Sequence, residues 1–241
     1  MKTLAEFKNY WKHQTIFVVG TGPSNRVFPF DFIRDKPCIG LNQAWRICQC
    51  RYNITIHPHC IPFEQLESNI WFTKKKNDWS IEEHIRRNNH QNWIYFNNSD
   101  DINAINSNAP SLAATLYVGR GIQSGGLHLA AHMGARWAVL VGCDMVDLAD
   151  DHHATDQHVQ FHGIDKNDVY KEYYYYTAEV RKRLKQEYNM DTLTLSPFLG
   201  QKYADEDYAY LCKQNSLDPL PYPTEIETAK RNTPLVKDYL S

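Results

Sequence analysis

Residues Trp137 to His162 read WAVLVGCDMVDLADDHHATDQHVQFH, and the first letters of that stretch decide the fold class. WAVLVG carries no polar side chain, the pattern of a strand covered on both faces, as in a parallel sheet with helices on either side. The chain then passes without a linker into five aspartates (Asp144, Asp147, Asp150, Asp151, Asp156) and four histidines (His152, His153, His158, His162). Such side chains are too costly to bury without partners or a ligand. The strand is therefore expected to deliver Asp144 to the carboxyl edge of an open sheet, where α/β folds bind ligands.

Working outward, Gly119, Gly121, Ser124, Gly125 and Gly126 lead into LHLAAHMGA, whose small residues suit a helix packed tightly on a sheet. Ser124 and Gly125 are expected at its N-terminus, where unpaired N–H groups and the helix dipole favour an anion. His128 and His132 are spaced i, i+4, but without an HExxH pattern they read as core or surface histidines, not metal ligands. On the other side, Asp165 to Tyr188 has apolar residues (Val169, Tyr173, Tyr176, Val180, Leu184) at helical spacing, with an acidic start and a basic end. Its tyrosine run reads as packing or interface, compatible with a homo-oligomer. TLTL at 192–195 makes a last strand, stopped by Ser196 and Pro197.

Toward the N-terminus, TIFVV (15–19) runs into Gly20, Thr21, Gly22, Pro23, Ser24 and Asn25. A buried strand entering a glycine turn opens many nucleotide-binding α/β units, because glycines let N–H groups approach an anion. The spacing matches neither GxGxxG nor GxxxxGK[ST], and a plain tight turn stays open as a reading. PCIGL (37–41) forms a second strand ending at Asn42, which either caps a following helix or offers its amide to a base or ribose. NITIH (53–57) and WIYF (93–96) add two more strands, residues 62–92 show no clean period, and 97–108 is an asparagine-rich loop suited to covering a site.

With 241 residues and 42% hydrophobic content, the chain can bury a full core. We expect an α/β domain over residues 1–200, a mostly parallel Rossmann-like sheet flanked by helices, and a small C-terminal elaboration over 201–241. A net charge of −2 argues against broad affinity for nucleic acid. Cys38, Cys48, Cys50, Cys60, Cys143 and Cys212 include no CxxC pair, so they read as buried thiols of a reducing compartment. The first residues lack an apolar signal core and no apolar run reaches membrane-spanning length, so a cytoplasmic location is expected.

Taken together, the ordered motifs resemble those of the metal-independent, Rossmann-like bacterial sialyltransferases and the phage and bacterial glycosyltransferases related to them. The shared pattern is G-x-G-P-S (Gly20, Gly22, Pro23, Ser24), N-Q (Asn42, Gln43), S-G before a small-residue helix (Ser124, Gly125), G-x-D (Gly142, Asp144), H-x-x-x-H (His158, His162), and a closing S-P (Ser196, Pro197). The resemblance spans residues 15–197 and implies a GT-A-like variant of the fold. It implies that Gly20, Thr21, Gly22, Pro23, Ser24 and Asn42 hold a nucleotide-sugar donor, CMP-linked before UDP-linked, and that Ser124 and Gly125 contact its phosphate or ribose.

By the same resemblance His162 is the general base for an acceptor hydroxyl on a glycan or, as in some phage enzymes, a hydroxymethylated DNA base. Asp144 and His153 join it in the catalytic group. Thr21 stands where the family has asparagine, and His152, His153 and aspartates stand where it has tyrosines near the departing phosphate. Histidine could donate to that phosphate, or the aspartate-rich loop could hold Mg²⁺ or Mn²⁺; a sialyltransferase-like enzyme requires no metal. A Mg²⁺-dependent pyrophosphokinase of the 6-hydroxymethylpterin type and a non-catalytic nucleotide-binding module are the alternatives.

Overall fold

The computed structural model describes residues 2–22, 25, 28, 30–57, 61–62, 64–65, 69–74, 92–108, 114–119, 121–143 and 166–194. Eight strands form one sheet: β1 (Thr15–Val19), β2 (Cys38–Leu41), β3 (Tyr52–Thr55), β4 (Ile70–Lys74), β5 (Trp93–Ser99), β6 (Thr115–Tyr117), β7 (Trp137–Val141) and β8 (Asp191–Thr194). The described helices longer than a turn are α1 (Ile122–His132) and α2 (Lys166–Tyr188). The spatial order is β6-β5-β4-β3-β2-β1-β7-β8, and every neighbouring pair is parallel. The chain steps outward from β1 to β6, and α1 then carries it back to lay β7 on the other flank of β1. That reversal is a topological switch point, where the carboxyl ends of adjacent strands leave a crevice.

β1 and β7 read as continuous apolar runs because each feeds two cores. Ile16, Val18, Ala138 and Leu140 pack with Leu127, Ala130 and Leu184 of the helices. Phe17, Val19, Val139 and Val141 join Phe28, Ile33 and Cys38 on the opposite face. Period-two alternation thus separates two apolar faces rather than an apolar from a polar one. Gly126 lets α1 sit against the sheet, since a Cβ there would meet Val18 Cγ1 at 2.9 Å and Leu41 Cδ2 at 2.5 Å.

The N-terminal segment closes the far end of α1. Asn9 and Trp11 donate their N–H groups to the carbonyls of His132 and Met133 at 3.0 and 2.7 Å, satisfying groups a helix end leaves open. Trp11 meets Tyr52 edge-on at 4.6 Å between ring centroids, so the same segment also buries aromatic surface. At the other edge, α2 holds β8 through Arg181 Nη2, which donates to Thr192 O at 3.1 Å.

Three expectations change. β4 and β6 lie where no strand is expected: IWFTK sits in a stretch without a clean period, and TLY is too short to show one. The polar loop expected over 97–108 begins as strand, because Asn97, Asn98 and Ser99 continue β5 to pair with β6. Pairing with a neighbour outweighs the low strand preference of asparagine. Behind Asn42 only a 3₁₀ turn forms, Ala44–Arg46. Pro23, Ser24, Asp144, His153, His158, His162, Ser196, Pro197 and the expected elaboration over 201–241 lie outside the described residues.

Candidate active site at the β1–β7 switch point

The glycine turn after β1 runs alongside the exit of β7. Gly20 N–H donates to Val141 O at 2.8 Å and Gly22 N–H to Gly142 O at 2.7 Å, so the two strands stay bonded beyond their last paired residues. A Cβ on Gly20 would collide with Gly142 O and sit 2.9 Å from Cys143 Sγ. Gly142 itself has φ +62°, in the left-handed region that glycine enters without steric cost. The glycines expected to present N–H groups to an anion instead spend those of Gly20 and Gly22 on β7. What they provide is close approach of two backbones, which leaves Thr21 between them at the sheet's carboxyl edge.

Asn25, absent from the expected site, ties this junction together. Its Nδ2 donates to Gly20 O at 2.8 Å and its N–H to Gly22 O at 3.1 Å. The amide lies over Gly142, occupying the place a Cβ on that residue would take. The residue is 4% exposed, and its Oδ1 has no hydrogen-bond partner among the described residues. In the sequence Asn25 looks like any turn residue. Its role depends on contact with a glycine from the far side of the chain.

Asn42, at the end of β2, is also in the left-handed region, φ +50°, which asparagine tolerates better than most residues. Its N–H donates to Ile54 O at 2.9 Å, and its Oδ1 accepts from Thr55 Oγ1 at 3.0 Å. The same hydroxyl accepts from His57 N–H at 3.0 Å. The cap position of the following 3₁₀ turn is Gln43, which makes no side-chain cap bond, so helix capping by Asn42 is ruled out. With Oδ1 fixed by Thr55, Nδ2 of Asn42 is a donor without a partner among the described residues. It is suited to an acceptor on a base or ribose.

α1 begins two residues before the expected Ser124. Gly121 occupies the cap position with no side chain to satisfy the first N–H groups. Ile122 and Gln123 therefore present their N–H groups at the helix's positive end, which lies at the sheet's carboxyl edge because α1 runs back against the strands. Ser124 is buried, its N–H donating to Gly121 O at 3.0 Å. Gly125 faces the sheet, where a Cβ would stand 3.2 Å from Val118 Cγ2 and 3.3 Å from Ile54 Cδ1. Packing accounts for Gly125, and the anion-favouring groups are those of Ile122 and Gln123.

The histidines of α1 are core residues. His128 Nδ1 accepts the Tyr117 N–H at 2.9 Å, so the neutral ring must carry its proton on Nε2, which donates to Tyr188 Oη at 3.2 Å. His132 Nε2 donates to Leu4 O at 2.8 Å. Among the described residues no group of three or more His, Cys, Asp or Glu is placed to hold a metal.

Burial lowers the His128 pKa from 6.5 to about 3, with the neighbouring His132 adding to the shift. The unfolded chain takes up a proton below 6.5 that the folded chain refuses until about 3. Stability is thus fully present above pH 6.5 and falls as pH drops toward 3, by up to ~1.4 kcal/mol per pH unit from this group. Urea titrations at several pH values between 7 and 5 should show a shallower decline for His128→Gln, which retains an acceptor for Tyr117 N–H but does not titrate. Equal slopes for the two chains would exclude His128 as the source.

No protein-family model and no curated protein matches the sequence. Three solved structures from Campylobacter jejuni are similar in overall arrangement. The sialyltransferase CstII, in complex with the substrate analogue cytidine-5'-monophosphate, has 11% identity and a TM-score of 0.42 over 80% of this chain and 84% of that one. The monofunctional alpha-2,3-sialyltransferase Cst-I has 12% identity and a TM-score of 0.40 over 80% and 79%. An alpha-2,3-sialyltransferase in apo form has 15% identity and a TM-score of 0.37 over 80% and 79%. No helix among the described residues is long and apolar enough to cross a membrane.

Proposed function

We propose that the chain is a glycosyltransferase that moves a sugar from a nucleotide-activated donor, a CMP-sugar ahead of a UDP-sugar, to an acceptor hydroxyl. The acceptor is a glycan or a hydroxymethylated DNA base. The observation that carries this reading is the direct contact of two distant motifs, Gly20-x-Gly22 and Gly142, at the switch point of a parallel sheet. Asn42, whose Nδ2 has no partner among the described residues, stands at the end of the neighbouring strand and supplies a donor for the nucleoside. The N-terminus of α1 faces the same edge and favours its phosphate.

In this mechanism His162 removes the proton from the acceptor hydroxyl. The oxygen attacks the anomeric carbon of the donor, and the bond from that carbon to phosphate oxygen breaks, its electron pair leaving with the nucleotide. Developing negative charge on the leaving phosphate calls for a hydrogen-bond donor, a task assigned to His153, and Asp144, which follows β7 in the sequence, is assigned to the same catalytic group. Mg²⁺ or Mn²⁺ at the aspartate-rich loop could share it.

A thermal-shift panel of CMP, CDP, UDP, GDP and ATP, each with and without Mg²⁺, tests the donor class. Ligand at 100 times its dissociation constant stabilises the native state by about 2.7 kcal/mol, a readily measured rise in melting temperature. CMP should give the largest shift and need no metal. A response to ATP with Mg²⁺ alone would replace this reading with a pyrophosphokinase, whereas full transfer activity in EDTA would remove that alternative. Binding without hydrolysis or transfer of any nucleotide sugar would leave only a binding module.

A further inference from the structure

The six cysteines are scattered in sequence, yet three of them converge on the face of the sheet opposite α1. Cys38 opens β2, and Cys48 and Cys50 follow the 3₁₀ turn Ala44–Arg46. Cys38 and Cys50 belong to the same buried core cluster, and Cys48 packs against it. Cys50 N–H also donates to Cys48 O at 2.9 Å, an i to i+2 turn that folds the two residues toward each other. Asn53 Nδ2 donates to Cys50 O at 2.8 Å and fixes that turn against β3. Room for it comes from Gly40, where a Cβ would stand 3.2 Å from Cys50 Cβ.

The three thiols differ in access and acidity. Cys38 and Cys50 are buried, and Cys48 is half-buried. The hydrogen bond from Cys50 holds the Cys48 thiol below its ordinary range, while contact with the two other sulfurs and burial push Cys50 well above it. A more acidic, reachable thiol beside a sheltered one is the arrangement of a peroxide-sensitive pair.

We propose that Cys48 and Cys50, backed by Cys38, form a dithiol site that a hydroperoxide oxidises to a Cys48–Cys50 disulfide. The Cys48 thiolate attacks the terminal oxygen of the hydroperoxide. The O–O bond breaks, leaving sulfenic acid on Cys48, and the displaced alkoxide or hydroxide takes a proton. Cys50 sulfur then attacks Cys48 sulfur, expelling hydroxide, which leaves as water with the Cys50 proton. Two thiols and one hydroperoxide give one disulfide, one alcohol or water, and one further water. A thiol reductant such as dithiothreitol reverses the step. None of this depends on the transferase reading.

The test uses the full reduced chain, treated with hydrogen peroxide, blocked with N-ethylmaleimide under denaturing conditions, and digested with trypsin. Cleavage after Arg46 and Arg51 isolates both cysteines in one short peptide, and Cys38 falls in another. The expected product is the 47–51 peptide lacking both maleimides and lighter by two hydrogens, restored by dithiothreitol. In Cys48→Ser, Cys50 should remain fully alkylated after the same treatment. The proposal is overturned by a 47–51 peptide that keeps both maleimides while other cysteines oxidise. A cross-link between the Cys38 and Cys50 peptides would overturn it too, as would Cys48 carried to sulfinic acid with Cys50 still alkylated.

Discussion

Replacing His162 with alanine is expected to lower sugar transfer by roughly 10²–10⁴-fold while leaving CMP affinity unchanged, the loss typical of removing a general base. An imidazole is the side chain whose ordinary pKa lies nearest neutrality, so it can accept the acceptor's proton without being permanently charged. In the proposed mechanism the base touches the acceptor and not the nucleotide. The variant should therefore show the same thermal shift with CMP and the same KM for donor, with kcat alone reduced. The acid limb of the pH–rate profile, set by imidazole protonation, should vanish with it. Retained turnover would remove His162 from the mechanism, and a parallel loss of CMP binding would reassign it to holding the donor.

Gly142→Ala should cost about 3 kcal/mol of stability, through two separable effects. An L-residue in the left-handed region pays roughly 1–2 kcal/mol. The new Cβ would also occupy the position of the Asn25 amide, whose Nδ2 satisfies Gly20 O at 2.8 Å in a buried site. Displacing that amide leaves donor and acceptor unpaired, at about 1–3 kcal/mol. Urea unfolding should show a lower midpoint with an unchanged slope. An Asn25→Ala background should absorb the second cost, so that Gly142→Ala is less damaging there than in the natural chain. Strict additivity of the two substitutions would mean that Asn25 does not brace the β7 exit.

Much of the sheet was legible because buried parallel strands are nearly all apolar, as TIFVV and WAVLV are. IWFTK was not, since its aromatic and charged neighbours obscure any period, and TLY was too short to carry one. The candidate site was legible in part. Thr21 and Asn42 follow the ends of β1 and β2, and Gly121 stands at the start of α1, as their positions after strands predict. Their tasks differ from expectation: Gly20 and Gly22 bond to β7, Gly125 packs on the sheet, and the helix end without a side-chain cap belongs to Ile122 and Gln123. Local pattern shows where a turn falls. It does not show which carbonyl from another strand will take that turn's N–H groups.

The same division holds for the buried polar groups. The sequence by itself determined that β1 and β7 are covered on both faces, that the chain alternates strands with connections suited to a parallel sheet, and that His128 and His132 lack a metal-binding pattern. Those properties follow from side-chain polarity and spacing, which act over a few residues. Only the tertiary structure decided that β7 lies beside β1, that Asn25 covers Gly142, and that Cys38, Cys48 and Cys50 form one cluster. Strand neighbours are chosen by how all the apolar faces can be buried at once, a condition on the whole chain that no single stretch, including Trp137 to His162, contains.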